Sequence, residues 1–158
     1  MLTKSVILQE LSKAKIAHMR WVKRADHLIS GLPVDKEFIP LEATTCGFGK
    51  WFYGDMGNNL RTTERFKHLF EQIEFHHDNL HDNYSRIYNL YFVMPEKRSL
   101  LHKMVTFNSK KVSAKEKEEA KKYFEQLKKS SEDLIVLLER LEREVRAASS
   151  FTELNEIV

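Results

Sequence analysis

From Ala120 to Ala148 the core-type residues return at alternating steps of four and three: Ala120, Phe124, Leu127, Ser131, Leu134, Leu138, Leu141, Val145, Ala148. That is a heptad seam four repeats long, and only Ser131 departs from it. Ser113 followed three residues on by Glu116 is a capping box that opens the same helix. A helix running from there to Ala148 is about 50 Å long, and one wet apolar seam of that length needs other helices to cover it.

Two further helices are legible. Between Thr3 and Ser30 there is no Pro or Gly, and Leu11, Ala14, His18, Trp21, Val22, Ala25, Leu28 and Ile29 share one face; Gly31 and Pro33 mark its end. Phe66, Phe70, Ile73, His77, Leu80, His81, Tyr84, Ile87, Tyr88 and Tyr91 form a second stripe, which Pro95 is expected to stop. Cys46 to Tyr53 reads as a short helix capped by Thr44 or Thr45 and stopped by Gly54. Asp55 to Leu60 reads as a loop, and Glu96 to Val112 as a short helix or packed loop. The fold class is therefore all-α: an antiparallel four-helix-bundle-like domain with a short Cys-bearing helix and a long C-terminal helix. Residues 1–148 read as one domain and 149–158 as a tail that frays.

Composition excludes several classes. Gly and Pro number only 5 and 3 of 158 residues, too few for the turns of an all-β sandwich. No apolar run approaches the roughly 18 residues of a membrane span, and Met1 to Val6 do not resemble a signal peptide, so a cytoplasmic protein with no membrane partner is expected. The net charge of +3 is far from that of a dedicated nucleic-acid binder. Basic residues do gather between Pro95 and Ser130, around Lys110-Lys111 and Lys121-Lys122, but without aromatic or glycine-rich accompaniment they read as a solvated helix surface. A single cysteine, Cys46, rules out an internal disulfide framework.

The histidines separate by position. His18 lies in the apolar stripe of the first helix; His77 and His81 lie in that of the third, four residues apart, where side chains stack on one face about 6 Å apart. His76 falls off the stripe, and His27, His68 and His102 have no such partner. Taken singly, each inward histidine reads as a core residue and Cys46 as a small buried hydrophobe. Together they pose a problem, because each buried imidazole has two ring nitrogens to satisfy and an apolar bundle offers few partners. A divalent metal satisfies all three at once with a thiolate as fourth ligand, and zinc takes four N or S ligands tetrahedrally. The metal ligands expected are His18, Cys46, His77 and His81, with Zn2+ as the ion and no catalytic residue.

These residues resemble the chemoreceptor zinc-binding domain family of bacterial signalling proteins. The family pattern of a His followed three residues on by an aromatic is met by His18 and Trp21. After 24 residues, Cys-x-apolar-Gly-x-aromatic is met by Cys46-Gly47-Phe48-Gly49-Lys50-Trp51, and after 25 more His-x-x-x-His is met by His77 and His81. The resemblance covers roughly Ile7 to Tyr91 plus the last helix, and the stretch from Glu96 to Val112 looks longer than the family's turn. It implies a homodimeric sensory module of a chemoreceptor or diguanylate cyclase, responsive to zinc or to oxidation of the cysteine ligand. The chain matches no output domain of either kind, so a signalling output protein, in cis or in trans, is the expected partner. With four protein ligands there is no open position for water, which points away from an enzyme. The rival reading is an iron-carboxylate bundle handling oxygen, for which Glu74, three residues before His77, is the one inward carboxylate to hand. A third is a helical adaptor whose long seam pairs with another chain around a purely structural zinc.

Overall fold

The computed structural model describes residues 4–101 and 112–148. The described residues form six α-helices and one π-helical turn: α1 (Lys4–Ile29), α2 (Gly47–Phe52), α3 (Asp55–Arg61), α4 (Glu64–Tyr88), the π turn (Asn89–Val93), α5 (Met94–Leu101) and α6 (Ala114–Ala147). No strand occurs among the described residues. The fold class is all-α, as expected. The expectations placed on residues 102–111 and on the tail from 149 onward lie outside the described residues.

All three long helices carry the heptad rhythm, not α6 alone. On α1 the buried positions are Ile7, Leu11, Ala14, His18, Trp21, Ala25 and Leu28; on α4, Phe66, Phe70, Ile73, His77, Leu80, Tyr84 and Ile87 keep the same alternation. Helices with matching seams pack at a shallow angle with interlocking side chains, the geometry of a bundle. Side-chain contacts between helices show the directions. Arg65 meets Glu144 at 2.8 Å and His76 meets Asp133 at 3.7 Å, so α4 and α6 run antiparallel. Lys4 meets the Ala148 carbonyl and Lys15 meets Glu142 at 3.0 Å, so α1 is antiparallel to α6 on its other side. The short helices α2 and α3 fill the remaining corner, α2 against α1 and α3 against α4. Leu134, Leu138 and Leu141 are wholly buried within this one chain, so the long seam is spent on the chain's own bundle.

The helix ends follow the local rules with three exceptions. Gly31, at φ +82°, closes α1: its N–H donates to the Leu28 carbonyl and the Leu32 N–H to that of His27, the paired bonds of a Schellman stop. The capping box of Ser113 and Glu116 opens α6 as expected. The cap of α2, however, is neither Thr44 nor Thr45. It is Cys46 itself, whose sulfur accepts from the Gly49 N–H at 3.1 Å. Asp55 to Leu60, expected as a loop, is helix α3. Its Gly and two Asn lower helix propensity, but Gly57 passes so close to α2 that a Cβ there would sit 2.1 Å from the Phe52 carbonyl oxygen, and Leu60 is fully buried. Tertiary contact outweighs propensity here. Nor does Pro95 stop the helical run that begins with α4. The π turn inserts ahead of it, with the Met94 N–H reaching back to the Asn89 carbonyl, and Pro95 then falls in the first turn of α5, where a missing donor costs little.

Candidate metal centre

The site forms where α1, α4 and the start of α2 converge. His18 comes from the α1 seam, His77 and His81 from successive turns of α4, and Cys46 from the cap of α2. One ligand-type atom from each lies within 4.8 Å of all the others, and all four residues are buried. It is the one such His/Cys/Asp/Glu cluster found among the described residues. The side chains expected from sequence are those the fold brings together.

What places Cys46 is glycine at position 49. A Cβ there would lie 1.8 Å from the Ala43 carbonyl oxygen and 2.8 Å from its carbon. The backbone of the segment before α2 thus folds directly onto the helix, and only a residue without a side chain lets it do so. The Cys46 sulfur then lies 3.3 Å from His77 Nε2. Burial pushes the Cys46 thiol above its ordinary pKa, while the N–H groups of Gly49 and Phe48 pull the other way. A thiolate at this point is therefore a species that needs a cation.

Two of the three histidines are oriented by main-chain carbonyls. His18 Nδ1 is 2.7 Å from the Ala14 oxygen and His81 Nδ1 is 2.9 Å from the Pro40 oxygen. A carbonyl only accepts, so each Nδ1 carries the proton and each Nε2 presents a lone pair to the cluster. Those two Nε2 atoms are buried without a hydrogen-bond partner among the described residues, as is Nδ1 of His77. Burial drives His18 down to about 4, and lowers His77 and His81 as well, with the neighbouring imidazoles adding to the effect on His77. All three rings are held neutral by burial, and His18 and His81 are also fixed in tautomer with a bare Nε2, the state a divalent cation requires.

A ring of aromatic side chains seals the cluster. Trp21 lies edge-on to His18 and His81, with centroids 4.7 and 5.3 Å away, and Phe48 packs against His77 at 4.9 Å. Trp51 is buried beyond Phe48. A dry wall of this kind strengthens charge attraction inside it.

The donor set fits zinc. Four N and S atoms of Zn–N about 2.0 to 2.1 Å and Zn–S about 2.3 Å define a tetrahedron with edges of roughly 3.3 to 3.6 Å. The Cys46–His77 separation already has that length, and the two orphaned Nε2 atoms are free to complete it. The set does not fit a carboxylate-bridged iron pair. Glu74, three residues before His77, turns to Arg61 at 3.2 Å and stays partly exposed. His76 sits apart, beside Asp133; His68 is on the surface near Glu71; His27 lies two turns further along α1.

Sequence reasoning missed the carbonyls of Ala14 and Pro40. The first is the ordinary i−4 neighbour on a helix, and nothing in the residue types marks it. The second is contributed by the loop between α1 and α2, which carries no periodic signal.

Comparison with known families agrees with this geometry. The sequence model of the chemoreceptor zinc-binding domain matches residues 18–88, a span that begins at His18 and takes in Cys46, His77 and His81. That stretch of the chain is similar to the chemoreceptor zinc-binding domain. No curated protein and no solved structure gives a significant match.

Proposed function

We propose that the chain carries a chemoreceptor zinc-binding domain and serves as a regulatory module of bacterial signal transduction, acting through one zinc ion held by His18, Cys46, His77 and His81. The observation that supports it is the set of buried, partnerless imidazole nitrogens gathered beside a buried thiol. Bound zinc would supply the positive charge that keeps Cys46 as a thiolate. The chain's own residues do the rest. Ala14 and Pro40 hold two rings in one tautomer, Gly49 lets the cysteine approach, and Trp21, Phe48 and Trp51 exclude water.

The regulatory step is release of α2. Cys46 both caps that helix and reaches into the cluster, so one sulfur joins a six-residue helix to α4. Oxidising the thiolate to sulfenic or sulfinic acid removes a soft ligand and weakens the cap together. Zinc limitation has the same consequence by a different route. The output is a signalling protein of chemoreceptor or diguanylate cyclase type in the cytoplasm, and no helix among the described residues is long and apolar enough to cross a membrane. A homodimer accords with the apolar side chains left on the outside of the bundle, Phe75 on α4 and Val136 on α6 among them.

The test is amide hydrogen exchange on zinc-loaded protein, chelated protein and protein treated with hypochlorite. Residues 46–53 are expected to lose protection in both treated samples while α6 keeps it. Unchanged protection of that segment after demonstrated zinc loss would refute the release of α2.

A further inference from the structure

We propose that an open cavity on the C-terminal half of α1, distinct from the cysteine–histidine cluster, binds the phosphate group of a small molecule. The cavity has a volume of about 600 Å³ and is lined by Arg20, Lys23, Arg24, His27 and Phe38. That volume falls within the range of small-molecule sites, roughly 300 to 1,000 Å³.

Its walls are one-signed. Arg20, Lys23, Arg24 and His27 follow one another at steps of three, one and three along α1, and no acidic side chain lines the space. None of Arg20, Lys23 and Arg24 forms an ion pair among the described residues, whereas Lys13, Lys15, Lys36, Arg61, Arg65 and Arg86 all do. Like charges at helix spacings of three and four repel, and none of these three is paired with a carboxylate among the described residues. A concave surface concentrates the field of such a group and attracts an anion of matching geometry. Arginine forks suit the paired oxygens of phosphate, with Lys23 as a point charge beside them.

Two features go beyond a solvated basic surface. The facing wall is Phe38, carried by the loop between α1 and α2, and the Arg24 guanidinium stacks 4.0 Å from its ring centroid. That contact anchors the Arg24 guanidinium against the wall. Arg24 is also only half exposed, so one guanidinium is set into the wall as well as others around the rim. None of the four cluster residues lines this cavity, so the inference stands or falls apart from the zinc reading.

Calorimetric titration of the full chain, with its metal content as purified, tests this, using inorganic phosphate and adenosine monophosphate as separate probes. Wild type is expected to bind at least one of them, with affinity that weakens as salt rises from about 20 to about 200 mM. Arg20→Ser and Arg24→Ser should each lower that affinity by roughly tenfold, with circular dichroism and melting temperature unchanged. Lys121→Ser with Lys122→Ser, on the exposed face of α6, should leave it unaltered. Equal affinity for the two probes assigns the site to the phosphate group alone; tighter binding of the nucleotide, lost in Phe38→Ser, assigns it to an organic phosphate. Absence of binding by either probe up to about 10 mM, or an equal loss in the α6 variant, overturns the proposal.

Discussion

Replacing Gly49 by alanine adds one methyl group, and the structure allows its cost to be worked out. The new Cβ would meet the Ala43 carbonyl oxygen at 1.8 Å, and ordinary contact begins at 3.4 Å, so segment and helix must part by about 1.6 Å. Both obstructing atoms belong to backbone, which cannot swing aside as a side chain does. Overpacking of this kind costs about 1 to 3 kcal/mol. The displacement also carries the Cys46 sulfur, whose cap bond to the Gly49 N–H contributes about 1 kcal/mol more. A zinc site tolerates ligand misplacement of about 0.2 Å, so Gly49→Ala should lower zinc affinity by well over tenfold, more than about 1.4 kcal/mol. Gly47→Ala is the control, since nothing lies within 4 Å of a Cβ there and the position is exposed. Urea unfolding of the metal-free variants and zinc competition against a chromophoric chelator read the two effects. Wild-type stability and affinity in Gly49→Ala, or equal damage from Gly47→Ala, would refute the reasoning.

Two further outcomes follow from the buried groups. His18 is neutral in the fold down to about pH 4, whereas the unfolded ring protonates near 6.5; below 6.5 the unfolded state therefore takes up more protons, and stability falls with pH. At pH 5 the loss from His18 alone is about 2 kcal/mol relative to pH 7.5, and His77 and His81 shift in the same direction; urea midpoints of the metal-free protein that stay level across this range would contradict it. Leu134→Ala, in the fully buried seam, should cost about 2 to 5 kcal/mol in the same assay, while Val136→Ala, two residues on and 61% exposed, should stay within about 0.5 kcal/mol.

Much of the bundle was legible because burial repeats with a period. The seam of α6, the stripes of α1 and α4, the Gly31 stop and the Ser113 cap all express local rules that one sequence displays. The cluster was legible for the same reason. His18, His77 and His81 interrupt stripes that are otherwise apolar or aromatic, and a polar residue in a core position asks for a partner. What escaped notice depends on elements that meet in space. Helix α3 forms from residues of low propensity because Gly57 lies against the end of α2. The π turn that carries the helix through Pro95 has no signature of its own. Cysteine is an uncommon N-cap, so the neighbouring threonines looked better suited to α2. The cationic cavity needs Phe38 brought across from a loop, and its α1 residues alone resemble any solvated face.

The central claim is that four named side chains hold one zinc ion, and elemental analysis of protein purified without added metal tests it most directly. Close to one zinc per chain is predicted for wild type, and well below one for Cys46→Ala and for His77→Gln, with helical content retained in both. Wild-type protein devoid of zinc after growth in zinc-replete medium, or variants that keep the full complement, would contradict the account.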